Sequence, residues 1–240
     1  FPLFVPGCRY TDDTVLTVAV AEHCLYGGDY VALYHRYFHL YPDAGYGESF
    51  FRWAASRSRV PYNSWGNGSA MRVSPIGIAL DSFEDVLVEA RASAEVTHNH
   101  PEGIRGAQAV AAAVFLARTP CSKAEMRTCL EQHFGYNLST PLDEIRPGYR
   151  FDVSCQGSVP QAIRAFLESA DYEDAVRNAI SLGGDADTMA CIAGGIAEVF
   201  YGGVPETIRS GALAVLDDRL RRVTNQFLER FADRILGGVP

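Results

Sequence analysis

Six cysteines are present in this 240-residue chain, Cys8, Cys24, Cys121, Cys129, Cys155 and Cys191, but no two form a Cys-x-x-Cys pair. Zinc fingers and disulfide scaffolds are therefore excluded, and a reducing, cytoplasmic location is expected. Long apolar runs are missing too. Residues 189–201 make the best candidate, and they are too few to span a bilayer and include Glu198. The opening Phe-Pro-Leu-Phe-Val-Pro lacks the basic flank and long apolar stretch of a signal peptide, so no membrane partner is expected. Basic residues are in deficit, 21 against 29 acidic, for a net charge of −8. That balance disfavours direct binding to a nucleic-acid backbone. No Gly-Lys-Ser/Thr closes a phosphate loop, and no serine-centred elbow supports a nucleophile triad. Period-two alternation is almost absent and no linker stands out, so the fold is read as all-α and single-domain over residues 1–240.

What is present is an ordinary globular balance, 48% hydrophobic and 21% charged, with helical punctuation throughout. The spacing predicts helices over 14–26, 30–41 and 48–56, then a loop-rich stretch over 61–69. Pro75 must break or open a helix there. Asp81 with Glu84, and Ser82 with Asp85, read as caps for a helix reaching Val96. A helix over 103–118 carries alanine at 107, 109, 111, 112, 113 and 117, and its small face places it near the centre. Ser122 and Glu125 cap a run ending at Gly135. Residues 136–158 read as one long irregular stretch, of the kind that often borders a site. Helices follow over 160–170, 171–180 and 189–201, and Pro205 opens an amphipathic tail read as two helices to about Leu236.

Two acidic turns stand out. Thr11-Asp12-Asp13-Thr14 opens the first helix, and Gly183-Gly184-Asp185-Ala186-Asp187-Thr188 opens a later one. A helix cap needs one side-chain oxygen, so each turn offers more oxygen than capping uses. If the turns meet, repulsion decides the outcome. Two carboxylates ~4 Å apart repel by ~4 kcal/mol at an effective dielectric of ~20. A helix N-terminus returns only about 0.3–1 kcal/mol for each. A divalent cation would then be required, and oxygen ligands without Cys or His suit Mg²⁺, Mn²⁺ or Ca²⁺. Two ordinary caps on distant helices remain the plain alternative. Gly66-Asn67-Gly68-Ser69-Ala70-Met71-Arg72 places exposed amides at a helix start, either an anion site or a simple turn. Thr97-His98-Asn99-His100 offers a ligand-facing histidine or merely a polar helix end.

These four motifs, in this order, resemble those of the ADP-ribosylglycohydrolase family, and the resemblance covers essentially the whole chain. It implies a compact orthogonal helical bundle with two Mg²⁺ ions (or Mn²⁺) at the base of an ADP-ribose cleft. Matched position by position, the metal ligands would be Thr11, Asp12, Asp13, Asp185, Asp187 and Thr188. Asp12 and Asp13 would also hold the attacking water and so be catalytic. Gly68, Ser69, Ala70 and Met71, with Asn67, would cradle the diphosphate. His98 would lie beside the ligand, Tyr46 and Gly47 at the ribose end, and Tyr149 against the adenine. The implied reaction is hydrolysis of the C1 bond between ADP-ribose and a protein side chain, by a monomer or weak homo-oligomer. Family members also carry a Gly-Asp segment and a glutamate upstream of the first acidic turn. Nothing matching it stands among residues 1–10, and the chain is expected to begin downstream of its natural start. A non-catalytic ADP-ribose binder, or a structural protein like the lens crystallin of this fold, is the alternative reading.

Overall fold

In the computed structural model, which describes residues 1–237, α-helices start both with and without a side-chain cap. α1 (Asp12–Tyr26) begins at Thr11 and stops at Gly27, whose φ of +72° suits glycine. Asp29 caps α2 (Tyr30–Leu40) by accepting from the Ala32 amide, and α3 (Glu48–Ala55) follows the Pro42–Gly47 loop. A single 3-10 turn at Asn67–Ser69 precedes the short α4 (Ser74–Ala79), where Pro75 sits in the first turn. Its missing N–H would be unpaired there anyway. Ser82 alone caps α5 (Phe83–Glu95). Asp81, read as part of that cap, instead forms an ion pair with Arg234 at 2.6 Å.

α6 (Pro101–Ala117) begins two residues before the expected Gly103, because Pro101 fits its first position and His100 accepts from the Glu102 amide. α7 (Lys123–Phe134) carries the full Ser122/Glu125 capping box and ends at left-handed Gly135. The stretch 136–158 is less irregular than its prolines suggested. It contains α8 (Leu142–Ile145) and the first turn of α9 (Cys155–Leu167), with Pro160 inside the helix rather than at its start. Ser154 caps that helix, and Cys155 N donates to Trp65 O at 2.9 Å. Tertiary anchoring thus outweighs the one backbone bond that Pro160 removes. α10 (Tyr172–Ser181) and α11 (Ala186–Phe200) follow. The tail forms three helices, not two: α12 (Glu206–Val215), α13 (Asp218–Arg230) and α14 (Ala232–Leu236). The Asp217 carboxylate starts the second by accepting from the Arg219 and Leu220 amides.

The fold is all-α, with no strand among the described residues and one isolated bridge between Gly66 and Ser154. α6 lies at the centre, packed against α4, α5, α7, α9 and α11. Its alanines at 107, 109, 111, 112 and 113 are completely buried. Small residues set the helix spacing: a Cβ on Gly106 would lie 2.4 Å from Cys155 Sγ, and one on Gly77 would lie 2.4 Å from Ala111 O. α1 and α11 pack on one another and on α4, which brings both acidic turns to one end of the bundle. Among the described residues, no helix is long and apolar enough to cross a membrane.

Candidate active site

The Met71 carbonyl is the point at which three distant segments meet. It accepts from Thr17 Oγ1 of α1 at 3.2 Å and from Cys191 Sγ of α11 at 3.3 Å. One turn nearer their N-termini, those two helices present the acidic residues. Neither turn uses its side chains as ordinary caps: Thr11 and Asp185 occupy the cap positions without a side-chain cap bond. Thr11 Oγ1 donates instead to Asp13 Oδ2 at 2.8 Å. Asp185 Oδ2 accepts from Asn67 Nδ2 at 2.7 Å, and the same amide donates to Ser158 Oγ at 3.1 Å. Asn67 therefore ties the second acidic turn to the Asn67–Ser69 turn and to α9.

The electrostatics follow from this crowding. Burial, then the neighbouring Asp13 charge, pushes the Asp12 carboxyl up to about 7, with Asp187 and Asp185 adding to the shift. Burial also pushes Asp13 up to about 6; the Thr11 hydroxyl opposes the shift, Asp187 and Asp185 reinforce it, and the Thr188 hydroxyl opposes it. Asp185 moves in the same direction through burial, against the Asn67 bond, and through its neighbour Asp187. Asp13 is 6% exposed, and its Oδ1 is buried without any hydrogen-bond partner. Thr188 is buried beside it, while Asp187 is exposed. An oxygen-only set of crowded carboxylates with one orphaned oxygen fits a hard divalent cation. Among the described residues, no three Asp, Glu, His or Cys side chains are drawn into a closed ligand cage. The fit thus rests on donor chemistry and on repulsion.

The other sequence-derived residues surround this corner. Asp12 N donates to Ala44 O at 2.8 Å, which holds the Pro42–Gly47 loop against the first acidic turn. Tyr46 stands on that loop, stacked on Phe50 with centroids 5.2 Å apart, its hydroxyl buried and unpartnered. Gly47 is exposed at the start of α3. In the Asn67–Ser69 turn, the Ala70 and Met71 amides both donate to Asn67 O, at 2.8 and 3.0 Å. The i→i+3 pattern of the turn also engages the Ser69 amide with Gly66 O, so the expected cradle of four amides narrows to Gly68. Ser69 Oγ is buried and donates to Gly103 O at 2.7 Å, so its hydroxyl braces the turn. His98 lies directly beneath: a Cβ on Gly68 would stand 3.3 Å from His98 Nε2. Tyr149 packs on Gly184, where a Cβ would lie 2.6 Å from Tyr149 Cε1, and its hydroxyl donates to Gly157 O at 3.0 Å. All the sequence-derived residues thus fall around one end of the bundle. The sequence reading missed Thr17, Cys191 and Arg72. Of these only Arg72, a lone arginine between Met71 and Val73, carried a signal.

The ADP-ribosylglycohydrolase sequence profile matches residues 2–237. This chain belongs to the ADP-ribosylglycohydrolase family. Among similar proteins is the ADP-ribosylhydrolase ARH3 of Mus musculus, 32% identical over 266 residues, covering 82% of this chain and 71% of that protein. Its Homo sapiens counterpart is also 32% identical, with 82% and 73% covered. The ADP-ribosylarginine hydrolase Tri1 of Pseudomonas putida is 29% identical over 143 residues, covering 57% of this chain and 38% of that one. A solved structure described as an ADP-ribosylglycohydrolase-related protein complex superimposes with a TM-score of 0.68 at 27% identity, covering 91% of this chain and 81% of that one. In this family member, the end of the bundle where both acidic turns converge is the candidate active site.

Proposed function

We propose that this protein is a divalent-metal-dependent hydrolase that releases ADP-ribose from an N- or O-linked protein side chain in the cytoplasm. The observation that carries the reading is the convergence of two acidic turns, some 170 residues apart in sequence, beside a glycine turn and a buried histidine. The names of the related ADP-ribosylhydrolases supply the substrate class. Thr11, Asp12, Asp13, Asp185, Asp187 and Thr188 would hold two Mg²⁺ or Mn²⁺ ions. When bound, such ions orient ribose hydroxyls and lower the pKa of a water. Asp12 and Asp13 would hold the attacking water and take up its proton, which then passes to the departing side-chain nitrogen or oxygen as the C1 bond breaks. The same carboxylates face the positive charge that develops at the ribose as the C1 bond breaks. Gly68 and His98 bind the diphosphate; Tyr46 and Gly47 border the ribose, and Tyr149 borders the adenine. We assign the free state as a monomer or weak homo-oligomer.

The test is release of ADP-ribose from modified arginine and serine peptides, with and without EDTA. Release that stops on chelation and returns with Mg²⁺ supports the reading. Release indifferent to chelation removes its metal part. Binding of ADP-ribose without release from either peptide would favour the non-catalytic binder.

A further inference from the structure

Behind His98 lies a buried polar chain that no role in the proposed site accounts for. Arg72 is completely buried, with its guanidinium over the Tyr34 ring at 4.3 Å from the centroid. Its Nη2 donates to Ser93 O at 2.9 Å and to Thr97 Oγ1 at 3.0 Å. Thr97, also completely buried, places the same oxygen 2.8 Å from His98 Nδ1. The chain therefore runs from a permanent charge, through a single hydroxyl, to the ring that faces the glycine turn.

A hydroxyl has one proton to give. Thr97 Oγ1 already accepts from Arg72, the Tyr62 hydroxyl that also bonds Thr97 brings a proton of its own, and two groups without one compete for the Thr97 proton: His98 Nδ1 at 2.8 Å and Ala94 O at 3.4 Å. The Ala94 carbonyl also accepts from the His98 amide at 2.7 Å and the Thr97 amide at 3.1 Å, so it needs no third donor. The short bond to Nδ1 wins, and the adjacent guanidinium makes the hydroxyl a stronger donor still. Burial, then the Arg72 charge, holds the imidazole well below its ordinary pKa, so the ring is neutral. With Nδ1 accepting, its one proton sits on Nε2. Nε2 faces the turn: a Cβ on Gly68 would lie 3.3 Å away, and one on Gly66 would lie 3.7 Å away.

We propose that Thr97, held in place by Arg72, is a positioning residue that fixes His98 as its Nε2–H tautomer, aiming the ring's single proton at the ligand's diphosphate. The ligand assignment rests on the function proposed above; the tautomer does not. A neutral donor here suits a diphosphate that has to enter and leave, since a buried imidazolium would hold it more tightly. Tyr62, edge-on to the imidazole at 5.7 Å, closes the ring's other flank.

The experiment is ¹⁵N NMR of the histidine side chains in the wild-type protein, paired with calorimetric titration of ADP-ribose. The expected wild-type spectrum shows a pyridine-like Nδ1 and a protonated Nε2 for His98, unchanged from pH 5.5 to 8. Thr97→Val should mix the tautomers and weaken ADP-ribose binding by about ten-fold, the scale of one lost hydrogen bond to a charged group. Thr97→Ser should restore both. Arg72→Lys, which loses the guanidinium plane that stacks on Tyr34 and holds Nη2 on both oxygens, should mix the tautomers as Thr97→Val does. A wild-type His98 protonated at Nδ1, or a Thr97→Val spectrum identical to wild type, would overturn the proposal. An unaltered spectrum in Arg72→Lys would overturn the part assigned to Arg72. A wild-type protein with the expected tautomer but no affinity for ADP-ribose would instead defeat the proposed function.

Discussion

Asp13 has a buried carboxylate oxygen that lacks a donor, and burial, reinforced by the charges of Asp187 and Asp185, raises its pKa to about 6. Such a residue works against the fold when nothing offsets its charge. Asp13→Ala is therefore expected to reduce ADP-ribose release by at least about a hundred-fold while leaving the circular-dichroism spectrum intact. In EDTA its melting temperature should equal or exceed that of wild type, because one repelling carboxylate is gone. Mg²⁺ at a hundred times its Kd should stabilise wild type by about 2.7 kcal/mol and the variant much less. Asp43→Ala, on the exposed part of the neighbouring loop, is the control and should behave as wild type. Gly184 makes a sharper demand. Its φ is +67°, and a Cβ there would meet Tyr149 Cε1 at 2.6 Å. Gly184→Ala should cost at least about 1–2 kcal/mol from the backbone alone. It should also displace Tyr149, which would show as weaker ADP-ribose binding as well as a lower denaturation midpoint.

At the scale of elements, helix propensity and packing pull in opposite directions at Gly77. In an exposed helix, Gly→Ala stabilises by about 1 kcal/mol. In α4 the new methyl would lie 2.4 Å from Ala111 O and 2.7 Å from Val114 Cβ of α6. Both atoms belong to the buried central helix, where overpacking costs about 1–3 kcal/mol. Gly77→Ala should thus destabilise, as read by urea denaturation with an unchanged m-value. The same contrast shows what was legible in the sequence. Helices whose start rests on a local cap, such as those after Asp29 and Ser122, were readable because capping needs only neighbours in the chain. α9 was not: its first turn depends on the bond from Cys155 to Trp65, ninety residues away in sequence, and Pro160 hid it. At the site, the acidic turns showed themselves through surplus oxygen. The bracing by Asn67, Thr17 and Cys191 did not, because each acts through a partner far away in the chain.

Across the whole molecule, acidic groups buried away from the cations they need set how stability responds to pH, and Glu198 isolates that effect outside the candidate site. It lines an apolar cavity of ≈ 550 Å³ bordered by α1, α4, α11 and α12, and α12 buries no residue of its own. Burial pushes the Glu198 carboxyl up to about 7, with Arg209 pulling weakly the other way. The sign follows directly. Between pH 4.5, the ordinary glutamate value, and pH 7, the folded protein binds more protons at this position than the unfolded chain, so stability falls as pH rises. The stabilisation from holding this proton is complete below pH 4.5 and gone above pH 7. Its ceiling is about 3 kcal/mol, trimmed by the part of the side chain that touches the cavity. Asp12, Asp13 and Asp185 shift in the same direction, so a wild-type pH profile alone would mix their contributions. Saturating Mg²⁺ should quench their share if they bind the ion, and Glu198→Gln should remove the remainder. The glutamine variant is expected to melt higher than wild type at pH 7.5 and to match it near pH 4.5, with ADP-ribose release unchanged. A variant whose stability runs parallel to wild type from pH 4.5 to 7.5 would mean that Glu198 ionises as freely in the fold as in water.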